Sequence, residues 1–255
     1  MDLLDPPIDN DAVDARLTEL ARRHAQAGNF GIQVLNVVGG QAEKLLDRLP
    51  SDMRNRLGDG TEQALRLAMQ AAHGSRSVLG GQPGWLNRAV TTAMGAAGGL
   101  GGLPSAMAEL PITTTILLRA IQDVATEHGF DPDEEGVRFD CIQVFAAAGP
   151  LDHADGSDLA FLSTRVAVTG KTMQALIARV APRFSTVLGQ KLAAQMVPVL
   201  GAAAGAATNY AYTSYYQQMA HVHFGLRRLA IESDRDHADL IEDFRARVKA
   251  PVKRS

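Results

Sequence analysis

Apolar residues recur at spacings of three and four along most of the chain, and this period predicts an all-α fold, a single multi-helix domain. Alternating β-branched runs bounded by tight turns are nearly absent. After an acidic arm at 1–10, a helix is expected over 11–27, with Val13, Leu17, Leu20 and Ala21 on one face. Gly28-Asn29 should end it, and a second helix should run over 31–49. Pro50-Ser51-Asp52 reads as a stop followed by a cap, because a Ser or Asp side chain accepts from the free amides of a first turn. The third helix reaches about 73, interrupted at Gly58-Asp59-Gly60.

Gly80-Gly81-Gln82-Pro83-Gly84 is the clearest linker. A helical pattern resumes at Trp85 and enters a glycine-rich stretch that ends at Pro104. Pro111 opens the next helix, and His128-Gly129 closes it with glycine just past the end. Asp131-Pro132-Asp133 opens another that runs to 148–150. Helices follow at 157–181 and 183–197, then a small-residue tract at 198–207, a long helix at 208–232 and an amphipathic one at 234–248. The expected organisation is an arm (1–10), N-terminal helices (11–80), a helical core (81–232), and an amphipathic helix with a basic tail (233–255).

Charge narrows the function. With 25 Lys and Arg against 28 Asp and Glu, there is no global basic field for nucleic acid. One cysteine, Cys141, excludes an internal disulfide framework and a Cys-rich zinc site. The N-terminus lacks the basic start and apolar run of a secretory signal, so a cytoplasmic home is expected.

Two tracts stand out. Residues 89–108, 20 in all, and 192–226, 35 in all, contain no Asp, Glu, Lys or Arg. In a chain with 21% charged residues, such runs must touch protein interior, lipid or an apolar ligand. Glycines at 95, 98, 99, 101 and 102, and the pair Gly201 and Gly205, would let helix backbones approach closely. Neither tract is a good membrane span: Pro104 breaks the first, and Gln195, Pro198 and Asn209 interrupt the second.

All four tyrosines fall within 210–216, a position suited to a headgroup layer, a pocket mouth or simple helix packing. On the helix after Pro111, Ile112, Ile116, Leu117, Ala120, Ile121 and Val124 form an apolar stripe, with Thr115, Arg119, Gln122 and Thr126 opposite. Asn209, Tyr212, Tyr216, His223 and Arg227 form a polar stripe on the long helix. Buried charges require partners, so Glu109, Arg119 and Asp123 are expected to meet His223 and Arg227 in one semi-buried cluster, either orienting a ligand headgroup or forming an ion-pair network. Five positive charges between Arg245 and Arg254 would be drawn to anionic lipid, or simply solvated.

No zincin, P-loop or nucleophile-elbow motif occurs, and His221 and His223, two apart, point to different helix faces. No metal ligand set, cofactor or catalytic residue is expected. The run from Glu109 to Arg119, then Val124-Ala125, His128-Gly-Phe-Asp-Pro132, Cys141-Ile-Gln-Val-Phe-Ala, Lys191 to Gly201, Ala206 to Asn209, Met219 to Phe224 and Arg227 to Leu229 resemble the EcsC protein family over roughly residues 60–232. The resemblance implies a mostly helical cytoplasmic protein associated with a membrane, with an ABC transporter of a secretion system as context and no established reaction. It adds Thr113 and Thr114 to the polar positions; where the family has Ser after the arginine, this chain has Ala120.

The combined expectation is a non-enzymatic protein, peripheral on the inner face of the cytoplasmic membrane, that binds a lipid-like or apolar ligand. Its candidate ligand-binding residues are Glu109, Thr113, Thr114, Arg119, Asp123, Tyr212, Tyr216, His223 and Arg227. The alternatives are an accessory module for an ABC transporter or secretion complex, and a hydrolase or transferase using Glu109 or His223 as base. The oligomeric state is left open.

Overall fold

The structure, a computed structural model, describes residues 6–38, 46–79, 110–147, 149, 159, 161–162, 173–195 and 201–249. Among these residues there are seven α-helices and no strand, as the apolar period predicts. They are α1 (Asn10–Val38), α2 (Ser51–Leu79), α3 (Leu110–Glu127), α4 (Glu135–Val144), α5 (Met173–Gln195), α6 (Gly201–Ser233) and α7 (His237–Lys249), with a 3-10 turn at Leu46–Arg48. The expected linker at 80–84, the helix from Trp85 and the first charge-free tract lie outside the described residues, as do Glu109 and the tail beyond Lys249.

The core is organised around α6, which packs against α1, α3, α4, α5 and α7, while α2 packs against α3 and α5. This explains why much of the second charge-free tract is uncharged. From Thr208 to Leu226 nearly every residue is buried, on all sides of the helix, so an ionised side chain would have to be desolvated. Among the described residues no helix is long and apolar enough to cross a membrane.

Three expected breaks are not breaks. α1 continues through Gly28-Asn29, with Ala27 fully buried beside them. α2 continues through Gly58-Asp59-Gly60. Its buried positions Leu57, Thr61, Ala64, Leu65 and Ala68 keep one stripe across the glycines, and burial of that stripe outweighs the roughly 1 kcal/mol each glycine costs. α5 runs through Pro182, which was expected to separate two helices. Pro182 faces solvent, where the missing N–H matters least, and its carbonyl accepts from Ser185 Oγ at 2.7 Å. The long helix begins at Gly201 rather than 208, absorbing much of the small-residue tract.

Other boundaries follow local chemistry. α3 ends as expected: Gly129 has φ +80°, and the Phe130 N–H donates to Ala125 O at 3.0 Å, closing the last turn. Asp131 instead caps a turn, accepting from the Asp133 N–H at 2.9 Å, and α4 starts later, at Glu135.

Close approaches fix how α6 sits. A Cβ on Gly225 would stand 2.6 Å from Leu20 Cδ2 of α1, so any other residue there would force the Leu20 side chain to shift. Gly149, with φ +88°, follows α4; a Cβ there would stand 2.9 Å from Val187 of α5, and its N–H donates to Tyr215 Oη at 3.2 Å. Tyr215, Tyr216, Phe145 and Phe184 form one aromatic cluster that joins α4, α5 and α6.

α7 presents Leu240, Ile241 and Phe244 to the core. Two arginines of the expected basic tail are engaged within the fold: Arg245 donates to Leu159 O at 3.0 Å, and Arg247 pairs with Asp14 of α1. The amphipathic face is therefore spent on packing.

Candidate functional site

His223 and Arg227, one turn apart on α6, project toward α4 and share the carboxylate of Asp140. Arg227 Nη1 pairs with Asp140 Oδ2, and His223 Nε2 stands 3.5 Å from Asp140 Oδ1. The Arg227 guanidinium lies 4.5 Å from the centre of the Phe130 ring, a cation–π contact. The His223 imidazole stacks on Phe161 at 6.0 Å between ring centres. Phe161 is in turn held by Gln143 of α4, whose Nε2 donates to Phe161 O at 2.6 Å. Burial alone would raise the Asp140 pKa, but His223 and Arg227 outweigh it and hold the carboxyl below its usual range.

A second feature is a set of buried hydroxyls. Among the described residues, Thr61 Oγ1 of α2, Thr114 Oγ1 of α3, and Thr208 Oγ1, Ser214 Oγ and Tyr216 Oη of α6 have no hydrogen-bond partner. α3 packs on both α2 and α6, the other two helices that carry these hydroxyls. Burial pushes the Tyr216 hydroxyl well above the ordinary phenol pKa, so it stays a neutral donor.

A third feature is a histidine pair. His128, just past α3, and His221 of α6 face each other, with Nε2 of His128 3.1 Å from Nδ1 of His221. Burial, then Arg23, Arg16 and Arg228, lower the His128 pKa from 6.5 to about 4. Between those two values the unfolded chain binds a proton that the folded chain refuses. Stability is therefore expected to fall as pH drops from about 6.5 toward 4. The full pKa gap would correspond to roughly 3 kcal/mol, and partial exposure of the ring reduces it to about 1–2 kcal/mol. Urea midpoints of the protein and of His128→Gln at about pH 7.5 and 5 check this: the variant should lose most of the His128 share of the difference.

The nine sequence candidates divide. His223 and Arg227 come together as expected, but on Asp140, a residue the sequence reading did not select. Thr113 and Thr114 are buried on α3, and Arg119 and Asp123 are half-buried on the same helix. Tyr212 and Tyr216, expected at a pocket mouth, are buried in the core at 1% and 0% exposure. The mouth reading fails because α6 is covered on every side there. Gln122, placed on the polar face of α3, is also buried, while Ile112 of the expected apolar stripe is 50% exposed. His221 and His223 do point to different faces, one to His128 and the other to Asp140.

The EcsC protein family model matches residues 80–229, well over half of the chain. The match takes in α3, α4, α5 and all but the last turn of α6. No curated protein and no solved structure matches the chain.

Proposed function

The chain belongs to the EcsC protein family, and from that premise we propose that it is a non-enzymatic protein that binds a lipid-like or otherwise apolar molecule bearing a few polar atoms. The observation that carries this reading is the set of hydroxyls on Thr61, Thr114, Thr208, Ser214 and Tyr216, which have no partner among the described residues. Buried polar groups in a native interior are nearly always hydrogen-bonded, and an unmatched set calls for water or a ligand. An apolar wall with a few polar groups is the usual lining of a small-molecule site. The reading extends to peripheral attachment at the inner face of the cytoplasmic membrane, from which such a molecule would come. Attachment through α7 is no part of it, because the apolar face of α7 is packed on the core.

The test is Thr114→Val, an isosteric change on α3. The ligand-free variant should match the wild type or exceed it by up to about 1 kcal/mol, since no protein hydrogen bond is lost. Binding of a fluorescent fatty-acyl probe should weaken severalfold. Absence of any bound lipid in native mass spectra, with no probe binding by the wild type, defeats the reading.

An accessory role beside an ABC transporter or secretion complex is the second reading. It is favoured by Leu67 and Ile112, 42% and 50% exposed, on the packed pair α2 and α3. Ile112→Asp should leave probe binding intact and abolish co-purification with such a membrane complex.

A further inference from the structure

We propose that the joint where α1 meets α6, beside the end of α3, carries a binding site for a phosphate-class oxyanion, formed by Arg16, Arg23 and His128. The site is independent of the lipid-ligand reading above, because none of the hydroxyls that support that reading belongs to it. Its floor is Leu20 of α1 against Gly225 of α6: a Cβ on Gly225 would stand 2.6 Å from Leu20 Cδ2 and 3.5 Å from His128 Cε1. Arg16 and Arg23 lie one turn to either side of Leu20 on the same face of α1. Their guanidiniums, and that of Arg228 on α6, each act on the His128 ring more strongly than Glu232, the acid beside them.

The local charge is positive. Four guanidiniums share two carboxylates: Arg22 and Arg23 meet Glu19, and Arg16 and Arg228 meet Glu232. Arg22 holds both oxygens of Glu19, at 2.7 and 2.8 Å, which leaves Arg23 a 3.2 Å contact with that acid and a 3.4 Å bond to Gln218 Oε1. Arg228 takes Glu232 at 2.7 Å, while Arg16 stands 3.4 Å from it. Arg16 and Arg23 are thus loosely held, and their side chains are 57% and 32% exposed. Each guanidinium carries more N–H donors than its glutamate can use. Two guanidiniums on either side of an imidazole suit an anion with several oxygens, such as a phosphate ester.

The histidine pair supplies a proton. Glu127 on α3, 54% exposed, lies 3.8 Å from His221 Nε2 and favours the proton there. His221 Nδ1 therefore accepts from His128 Nε2, 3.1 Å away, and His128 Nδ1 holds a lone pair. Burial and the three arginines keep that nitrogen unprotonated in the free protein, with a pKa of about 4. A bound oxyanion offsets the arginines and accepts from the protonated Nδ1, so the His128 pKa rises and binding takes up a proton. Binding is therefore expected to tighten as pH falls toward the free-protein value.

The test titrates sulfate, whose charge is constant over the range used, into the full chain by calorimetry in low-salt buffer at about pH 7.5 and 5.5. One equivalent should bind, about five- to tenfold more tightly at the lower pH. Arg16→Gln and Arg23→Gln should each weaken binding about tenfold. Arg56→Gln, exposed on α2, should leave it unchanged, and His128→Gln should bind with no gain at low pH. Arg16→Gln, at the most exposed partner, keeps the test valid if His128→Gln does not fold. Arg16→Gln should also bind the fatty-acyl probe as the wild type does, which separates failure here from failure of the lipid-ligand reading. Glycerol phosphate and phosphatidylcholine vesicles containing phosphatidic acid identify the source of the oxyanion. Binding of glycerol phosphate marks a soluble phosphate ester, and binding of the vesicles alone, lost in Arg16→Gln, marks a lipid headgroup. No saturable sulfate binding by the wild type, or equal binding by the variant carrying both Arg16→Gln and Arg23→Gln, overturns the proposal.

Discussion

Replacing Phe184 with alanine is expected to cost about 3–5 kcal/mol, as a large ring deleted from a close-packed interior does. Phe184 of α5 is fully buried, with its ring centre 4.5 Å from that of Phe145 and 5.9 Å from that of Tyr216. The change opens a void where three helices meet. Chemical denaturation followed by far-UV circular dichroism measures it. Tyr216→Phe on the same cluster is the informative contrast. It removes a hydroxyl with no hydrogen-bond partner among the described residues and leaves the ring contacts. That variant should lie within about 1 kcal/mol of wild type or above it. A loss as large as Phe184→Ala would mean that the hydroxyl is held by something, which would point to an ordered occupant of the interior.

Asp140→Ala is expected to be the most damaging single change among the polar residues, at about 2–4 kcal/mol. It leaves the cation of Arg227, about one-third exposed, over the Phe130 ring, and His223, 95% buried, without their shared carboxylate. Arg227→Ala should cost less, because His223 still faces the acid. The double variant should fall short of the sum by about 1–2 kcal/mol, since both changes remove one contact. Additive losses would mean that the pair contributes no coupling. The carboxylate is held below its ordinary pKa, so the stabilisation is complete above the unfolded-state value and disappears as pH falls through the folded one.

The sequence made the helical class and most of the last three elements legible, because a long amphipathic period survives without knowledge of partners. The end of α3 was equally plain, since Gly129 with its positive φ is a local signal. The failures share a cause. Gly28, Gly58 and Pro182 are local helix breakers that the helices run through, and Gly58 and Pro182 are overruled by a stripe that is buried across them. Tyr212 and Tyr216 looked like boundary residues because tyrosine is amphipathic. Only the five neighbours of α6 show that no boundary exists there.

At the polar joint, half of the pair was visible. His223 and Arg227 are one turn apart, and Arg227 is the first charged residue of its helix, which announced an acid somewhere. Choosing Asp140 required knowing that α4 folds back along α6. One cue was available: Asp140 stands between Phe139 and Cys141, both buried, and an acid flanked by buried apolar residues calls for a cation. The histidine pair had no comparable cue, since 93 positions separate its members.

The helices outside the family match carry a consequence of their own. Val13, Leu17 and Leu20 of α1 and Phe244 of α7 cover the flanks of α6, and the Ile8 N–H donates to Glu232 O at 3.0 Å. Produced alone, the stretch 80–229 would expose a greasy flank and self-associate. In this chain the matched stretch is thus less than a folding unit, and the chain's own ends supply the jacket for that flank.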